Sequence, residues 1–488
     1  MSEGLLGASL ISIGFFAISV LLVDVFSKNK AVSFIYSIVA LAVTAGLSVY
    51  NLYLSPSVYY PANINLFVTK NMIAFGGYTS YFDLLFSLAG LFTILSSRSF
   101  LKREYMEIKE YYSLIIYSVA GMMIIGHANN LVTLFVGIEI MSICFFILAG
   151  FIRTRSQSVE ASLKYFLLGA FATGFLVYGA AMLYGATGSL DFRVISQKIS
   201  QAQVVPIYFV IGAALIIVGL SFKAAAFPFH QWAPDVYHGS PTVSSAFLST
   251  AGKAAALIAF VVMAKTIIPH EVFATKLRNS AEMIKLIIAA ISAATMLIGN
   301  ISALVQKDVK RMLAYSSVAH AGYLLMGIVA NSVLGWSAIS YYMTAYIFMQ
   351  MGAFFIISTI ERKEAFLEIT DYAGLSKSYP MIAALMSVFM LSLAGIPPFA
   401  GFFGKYYLIM SVIKSGYTWL AIVAVIASII SIYFYIGLIM QMYFREHSGN
   451  KPEFKHSGAT FSIIASAVII LLIGILPNLV METASYLF

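Results

Sequence analysis

The stretch Leu220–Lys253 reads LSFKAAAFPFHQWAPDVYHGSPTVSSAFLSTAGK. Lys223 stands inside an apolar run that Pro228 interrupts five residues later. A polar, aromatic turn follows, with His230, Trp232, Asp235 and His238, and a second apolar run then carries Lys253. An ammonium group at the centre of a bilayer-spanning helix costs about 2.5–3.5 kcal/mol on insertion scales. Two of them beside a broken helix point to protons carried through a membrane rather than to packing.

Composition sets the same frame. The 488 residues are 61% hydrophobic and 10% charged, whereas soluble domains carry roughly 25% charged residues. With a mean hydropathy of +0.91, a polytopic helical membrane protein is expected. The apolar runs exceed the ~9–11 residues of a barrel strand, which excludes a closed β-barrel. The single cysteine, Cys144, allows no internal disulfide and no cysteine-ligated cluster or zinc site. The net charge of +9 is spread over short loops, so it is no nucleic-acid signal. Glu3 and the lack of a basic start predict that the first apolar run is a retained span.

Fourteen spans are predicted, at about 5–26, 31–54, 77–98, 111–126, 130–152, 160–186, 205–227, 241–265, 282–305, 310–330, 334–360, 380–407, 416–444 and 460–486. The longest loops are 54–76 and 265–281, and no polar insertion is long enough for a soluble domain. Seventeen Lys and Arg fall on the loops of one side, eight on the other, and four within spans. The basic side is then cytoplasmic, and both termini face away from it. A weak echo links Leu220-Ser221…Pro228-Phe229 to Leu391-Ser392…Pro398-Phe399, each in a proline-interrupted span with a lysine, Lys223 or Lys405. Paired broken helices are a pointer to a midplane transport site.

Of twenty carboxylates only Glu139 falls mid-span; Asp24 and Asp83 lie near span ends. A carboxylate at that depth requires a cation or a bound proton. The in-span lysines are Lys164, Lys223, Lys253 and Lys405. Lys164 is close enough to its span's start to reach the interface, and Lys405 follows the Gly395-Ile396-Pro397-Pro398 break, where an interfacial lysine is the alternative. Lysine suits a relay because loss of water loosens its hold on a proton and a nearby carboxylate restores it. At an effective dielectric of 20, unit charges 6 Å apart interact by roughly 2.8 kcal/mol, about two pKa units. His230 and His320 are further proton-shuttle candidates. The histidines lack close Asp, Glu or Cys partners at ligand spacing, so no metal site is expected. No P-loop, GxGxxG or haem motif is present.

The segments NLVTLFVGIEIMSICFFILAGF, ASLKYFLLGAF, GATGSLDF, FKAAAFPFHQWAPDVYHGSPTVSSAFLSTAGK, KDVKRMLAYSSVAHAGYLLMG and SLAGIPPFAGFFGKYYL together resemble the antiporter-like membrane subunits of respiratory complex I. The resemblance covers roughly residues 110–445. It implies an all-α fold of about fourteen transmembrane helices, with two inverted five-helix repeats that each hold a broken helix. Residues 1–109 would form helices 1–3, 110–265 the first repeat, 266–445 the second, and 446–488 the last helix. It also implies that Glu139 is the fifth-helix acid, Lys164 the sixth-helix lysine, Lys223 the broken-helix lysine, Lys253 the eighth-helix lysine and Lys405 the twelfth-helix terminal group. A lysine rather than a glutamate on the twelfth helix argues for the N (ND2) type over the M type. Lys253 and the lack of a lateral C-terminal helix argue against the L type.

The function so implied is proton translocation in an NADH–quinone oxidoreductase, with Glu139 modulating Lys223, protons loading near Lys223 and Lys253, and exit through Lys405. No cofactor is expected on this chain. The complex would use NADH or another donor, flavin, iron–sulfur clusters and quinone in other subunits. The expected partners are the other membrane subunits (M-, K-, J-, A-, L- and H-type) and the lipid of a cell membrane, with no nucleic acid. The alternatives are a subunit of a multi-component cation/proton antiporter without redox chemistry, and a purely structural membrane spacer.

Overall fold

The computed structural model describes residues 7–27, 29–54, 60–61, 72–104, 108–202, 205–268, 278–361, 368–446 and 458–487. Glu3, Lys28, Lys70, Lys276, Arg362, Lys363, Lys451 and Lys455, and most of the 54–76 and 265–281 loops, lie outside these residues. In chain order the helices are α1 (Ala8–Phe26), α2 (Lys30–Leu54), α3 (Gly77–Arg103), α4 (Glu110–His127), α5 (Leu131–Ala149), α6 (Ser156–Thr187) and α7 (Phe192–Gln201). Next come α8 (Ile207–Lys223), α9 (Trp232–Gly239), α10 (Thr242–Phe247) and α11 (Lys253–Ile267), with a turn of π-helix at Leu248–Gly252 between the last two. The second half holds α12 (Arg278–Leu304), α13 (Val309–Ala330), α14 (Val333–Ile360), α15 (Leu375–Ser378), α16 (Pro380–Ala394), α17 (Ala400–Lys414), α18 (Thr418–Phe444), α19 (Gly458–Ile475) and α20 (Pro477–Tyr486). Among the described residues, strand is confined to the two-residue pair Tyr60–Pro61 and Ala74–Phe75.

The fold is all-helical. Eleven helices among the described residues, α10–α11 counted as one, are long and apolar enough to cross a membrane. Burial sorts them. The apolar window of α14 is buried throughout, and those of α13 and α10–α11 almost so, whereas α1, α6 and α18 turn most of theirs outward. Helices that are apolar on every side have no amphipathic stripe to orient them. The inner ones are marked instead by ionisable and hydroxyl side chains.

Three expected spans are interrupted. The 205–227 run stops being helical at Lys223, before Pro228, because Ala225 takes a positive φ of 56° and the Ala226 amide bonds back to the Ser221 carbonyl. The 380–407 run is two helices. α16 ends at Gly395, whose φ of 82° supplies the left-handed C-cap, and α17 starts at Ala400 after the two prolines. The 460–486 run divides where Pro477 opens α20.

Gly401 lets the two halves of the second break approach. Its amide donates to the Ser392 hydroxyl at 3.2 Å, and an added Cβ would overlap the Ser392 carbonyl oxygen. Gly401→Ala is therefore expected to destabilise by about 1–3 kcal/mol, measured as a lower melting temperature of the purified protein. Gly437→Ala, with open space around the position, is expected to be neutral or to stabilise slightly.

Candidate functional site

Glu139 and Ser142 lie one turn apart on α5 and so share a face. The Thr173 hydroxyl of α6 donates to Glu139 at 2.8 Å. The Lys223 ammonium, on the last residue of α8, donates to the Ser142 hydroxyl at 2.7 Å and lies 5.7 Å from the Phe146 ring centre. Lys223 is 6% exposed. The helix break places it at the C-terminal, electronegative end of α8, where a cation is favoured. The Ser142 hydroxyl, three residues from Glu139 on the same helix, is the hydrogen-bond partner of Lys223.

Lys253 follows the π-helical turn and is 2% exposed. Single π turns inside α-helices recur at functional positions. The Lys253 ammonium donates to the carbonyl and the hydroxyl of Ser317 on α13. Tyr346 of α14 donates to the same Ser317 hydroxyl at 2.8 Å. One turn along α13, His320 lies between the Tyr342 hydroxyl at 2.6 Å and the Tyr435 hydroxyl at 3.1 Å. A further turn on, Tyr323 presents its ring 5.0 Å from the Lys405 ammonium. Lys405 is 5% exposed. It donates to the Ala394 carbonyl at 2.9 Å, at the open end of α16, and to the Ser428 hydroxyl at 3.1 Å. Buried rather than interfacial, Lys405 thus belongs with Lys253 and His320 in one polar row along α13.

Lys164 lies elsewhere. Its side chain is 42% exposed and pairs with Glu160 at 2.7 Å and Asp235 at 2.9 Å, and Arg311 joins Asp235 at 3.0 Å. Burial opposes the charged form of Asp235, but its bonds to Lys164 and Arg311 outweigh it and hold the carboxyl below its usual range. Asp308, the N-cap of α13, is also held low: the His238 ring at 3.5 Å and the Arg311 amide outweigh its burial. His230 is buried in the loop between α8 and α9, its ring tilted 5.8 Å from that of Phe227, and its Nδ1 has no hydrogen-bond partner among the described residues.

A second ionic group lies at this same end of the bundle. Arg155 pairs with Glu104 at 2.8 Å and with Glu361 at 3.7 Å, and Lys310 approaches Glu361 at 3.8 Å. Lys310 also donates to the Ser240 carbonyl and the Thr242 hydroxyl, and Thr242 donates to Glu361. These four charged side chains are all buried. In the sequence Arg155 and Lys310 count only towards loop bases and Glu104 and Glu361 stand out in no way, because nothing in their spacing joins residues 104, 155, 310 and 361. The hydroxyl partners were partly within reach: Ser142 stands three residues after Glu139, and Ser317, His320 and Tyr323 recur at helical spacing. Tyr342, Tyr346, Tyr435 and Ser428 carry no such mark among so many tyrosines and serines.

Among the described residues no group of three His, Cys, Asp or Glu is placed to hold a metal ion. A helical membrane bundle with interrupted helices and a buried row of lysine, hydroxyl and imidazole groups is an antiporter-like membrane protein. The family described as NADH:quinone oxidoreductase/Mrp antiporter, TM, matches residues 128–431. NADH-quinone oxidoreductase subunit N 1 of Chloroherpeton thalassium is 43% identical over 416 residues, 85% of this chain and 86% of that protein. A chain of respiratory complex I from Thermus thermophilus superposes with a TM-score of 0.81 at 31% identity, covering 97% of this chain and 98% of that one. A chain of the Mrp complex from Dietzia superposes at 0.86 with 20% identity, covering 100% and 97%, a likeness of fold. The chain belongs to the NADH:quinone oxidoreductase/Mrp antiporter family, with subunit N of NADH-quinone oxidoreductase among its relatives.

Proposed function

We propose that this chain is the subunit N-type proton-translocating membrane subunit of a complex I-type NADH–quinone oxidoreductase. One observation carries the proposal. Lys223, Lys253 and Lys405 hydrogen-bond to hydroxyl and carbonyl oxygens and have no carboxylate at ion-pair distance among the described residues, whereas Arg155, Lys310, Arg311 and Lys164 each have one. A carboxylate partner fixes a cation in place. A hydroxyl accepts from an ammonium and donates to an amine, so it serves both protonation states. The first three lysines are therefore built to change charge, and the other cations to keep it.

Glu139 then sets the charge state of Lys223, and protons pass along Lys253, His320 and Lys405. Lys164 serves through Asp235 at the rim, and His230 lies at the mouth of the first break. NADH or another donor, flavin, iron–sulfur clusters and quinone belong to companion subunits, and this chain holds no redox centre of its own. The partners are the other membrane subunits of the complex and the surrounding lipid of the cell membrane.

The reading includes fourteen spans, in two inverted five-helix repeats at 110–265 and 266–445, with both termini on the non-cytoplasmic side. Helices at all fourteen expected stretches support the count, and the seventeen-to-eight split of loop bases supports the orientation. The test is proton uptake by proteoliposomes holding the purified complex, started with NADH and a quinone. Uptake that follows quinone reduction without sodium is expected. Cation–proton exchange without any donor would establish the antiporter reading instead.

A further inference from the structure

The first turns of α1 and α3 and the last residue of α4 meet at the end of the bundle opposite Glu104 and Arg155. There Asp83 and His127 are both fully buried, with His127 Nε2 at 3.0 Å from Asp83 Oδ2. His127 Nδ1 lies 2.7 Å from the Ala74 carbonyl oxygen. A carbonyl only accepts, so Nδ1 carries a hydrogen. Nε2 then has two ways to bond Asp83. Either the ring is doubly protonated and donates to a carboxylate, or it is neutral and accepts from a protonated carboxyl. Both states hold one proton between the two groups and have no net charge. Removing that proton sets a nitrogen lone pair against a carboxylate oxygen and leaves a net negative charge on the pair.

Further features mark the pair as more than a clamp. The Ser9 hydroxyl of α1 donates to Oδ2 at 2.6 Å, while Oδ1 has no hydrogen-bond donor among the described residues. The buried Ser80 and Ser87 hydroxyls, likewise without partners among those residues, stand three residues before and four after Asp83, on its face of α3. A carboxylate with a free oxygen and flanking hydroxyls can pass a proton on. The nearest titratable groups on α3 are Tyr78 and Tyr81; Tyr50 and Tyr53, near this end of α2, are exposed. About 30 Å of helix separates Asp83 from Glu104, so the two clusters occupy opposite ends of the membrane domain.

We propose that Asp83 and His127 form a second proton-binding site, outside the lysine row, that holds one shared proton at the less basic end of the bundle and exchanges it during turnover. Release leaves the Asp83 carboxylate and a neutral imidazole protonated on Nδ1; uptake restores the shared proton. The site is independent of the lysine row, so a failed Lys223 test would leave it standing.

The experiment is infrared difference spectroscopy on the purified complex, resting against turning over, in H2O and D2O, together with protons moved per electron in proteoliposomes. In the unaltered complex, carboxyl and imidazole bands that shift in D2O are expected to change on turnover. Asp83→Asn is expected to lose them and to lower the proton yield. Ser9→Ala is expected to keep them but to shift the carboxyl C–O and carboxylate bands, because Oδ2, the oxygen that faces His127, loses the Ser9 hydrogen bond. If no turnover-dependent band is lost in assembled Asp83→Asn, the proposal is overturned. Should that variant not assemble, the Ser9→Ala spectrum decides: an unmoved band rejects the site.

Discussion

Lys223→Ala, in a complex that assembles with all its subunits, is expected to lower the ratio of protons moved to electrons transferred and to slow coupled turnover by about two orders of magnitude. That is the lower end of what a positioned acid–base group contributes, about 2.7 kcal/mol on the barrier. The geometry gives the reason. Lys223 is the group that stands against Ser142, three residues from Glu139 on the same helix face, and alanine offers the hydroxyl no nitrogen to hand a proton to. Lys223→Arg separates chemistry from packing. Guanidinium keeps its proton at any physiological pH and is a good permanent cation. If Lys223 served only to balance Glu139, arginine would restore function; as a relay group it is expected to fail nearly as badly as alanine. An unchanged proton-to-electron ratio in assembled Lys223→Ala complex would reject the role of this lysine. Subunit content of the purified complex provides the assembly control.

Residues 220–253 were the part of the chain most open to reading, and the reason is physical. Lysine in an apolar run is conspicuous because it violates the composition of its surroundings, and Lys223, Lys253 and Lys405 are all buried near the interrupted helices that proline and glycine mark. Lys164 has the same local signature yet lies half-exposed against Asp235. Its distance from the start of α6 decides that, and a position eight residues into a helix is open to either reading. The helix ends were less legible. Pro228 is visible in the sequence, but the turn that ends α8 is made by Ala225 in a left-handed conformation, and alanine gives no warning of it. Polar partners shared among α13, α14 and α18, such as Tyr342 and Tyr435 on His320, depend on which helices are neighbours. Spacing within a single helix cannot supply that.

The same limit hid the ionic cluster at the basic end, and it carries the largest expected stability effect. Glu361 closes α14, and its carboxylate lies between Arg155 of the α5–α6 turn and Lys310 of α13. Its second oxygen accepts from Thr242, the first residue of α10. Lys310 in turn donates to the Ser240 carbonyl, just before α10. One carboxylate thus ties the segment after the first helix break to the ends of α13 and α14 and to the turn before α6. Glu361→Ala leaves two buried cations with one carboxylate, Glu104, bonded to Arg155. Breaking a buried pair from one side costs about 3–5 kcal/mol, and a loss of that size is expected in denaturant unfolding of the purified protein. The remedy follows from the same physics. Glu361→Gln with Lys310→Met removes both charges, and its destabilisation is expected to be smaller than the sum of the single changes. Additive losses would mean that the two groups do not sense each other. In complexes that survive Glu361→Gln, the proton-to-electron ratio is expected to hold, because Lys223, Lys253, His320 and Lys405 keep every hydrogen bond they have. The two experiments thus move opposite quantities: Lys223 changes proton transfer with little loss of stability, and Glu361 changes stability with little loss of transfer.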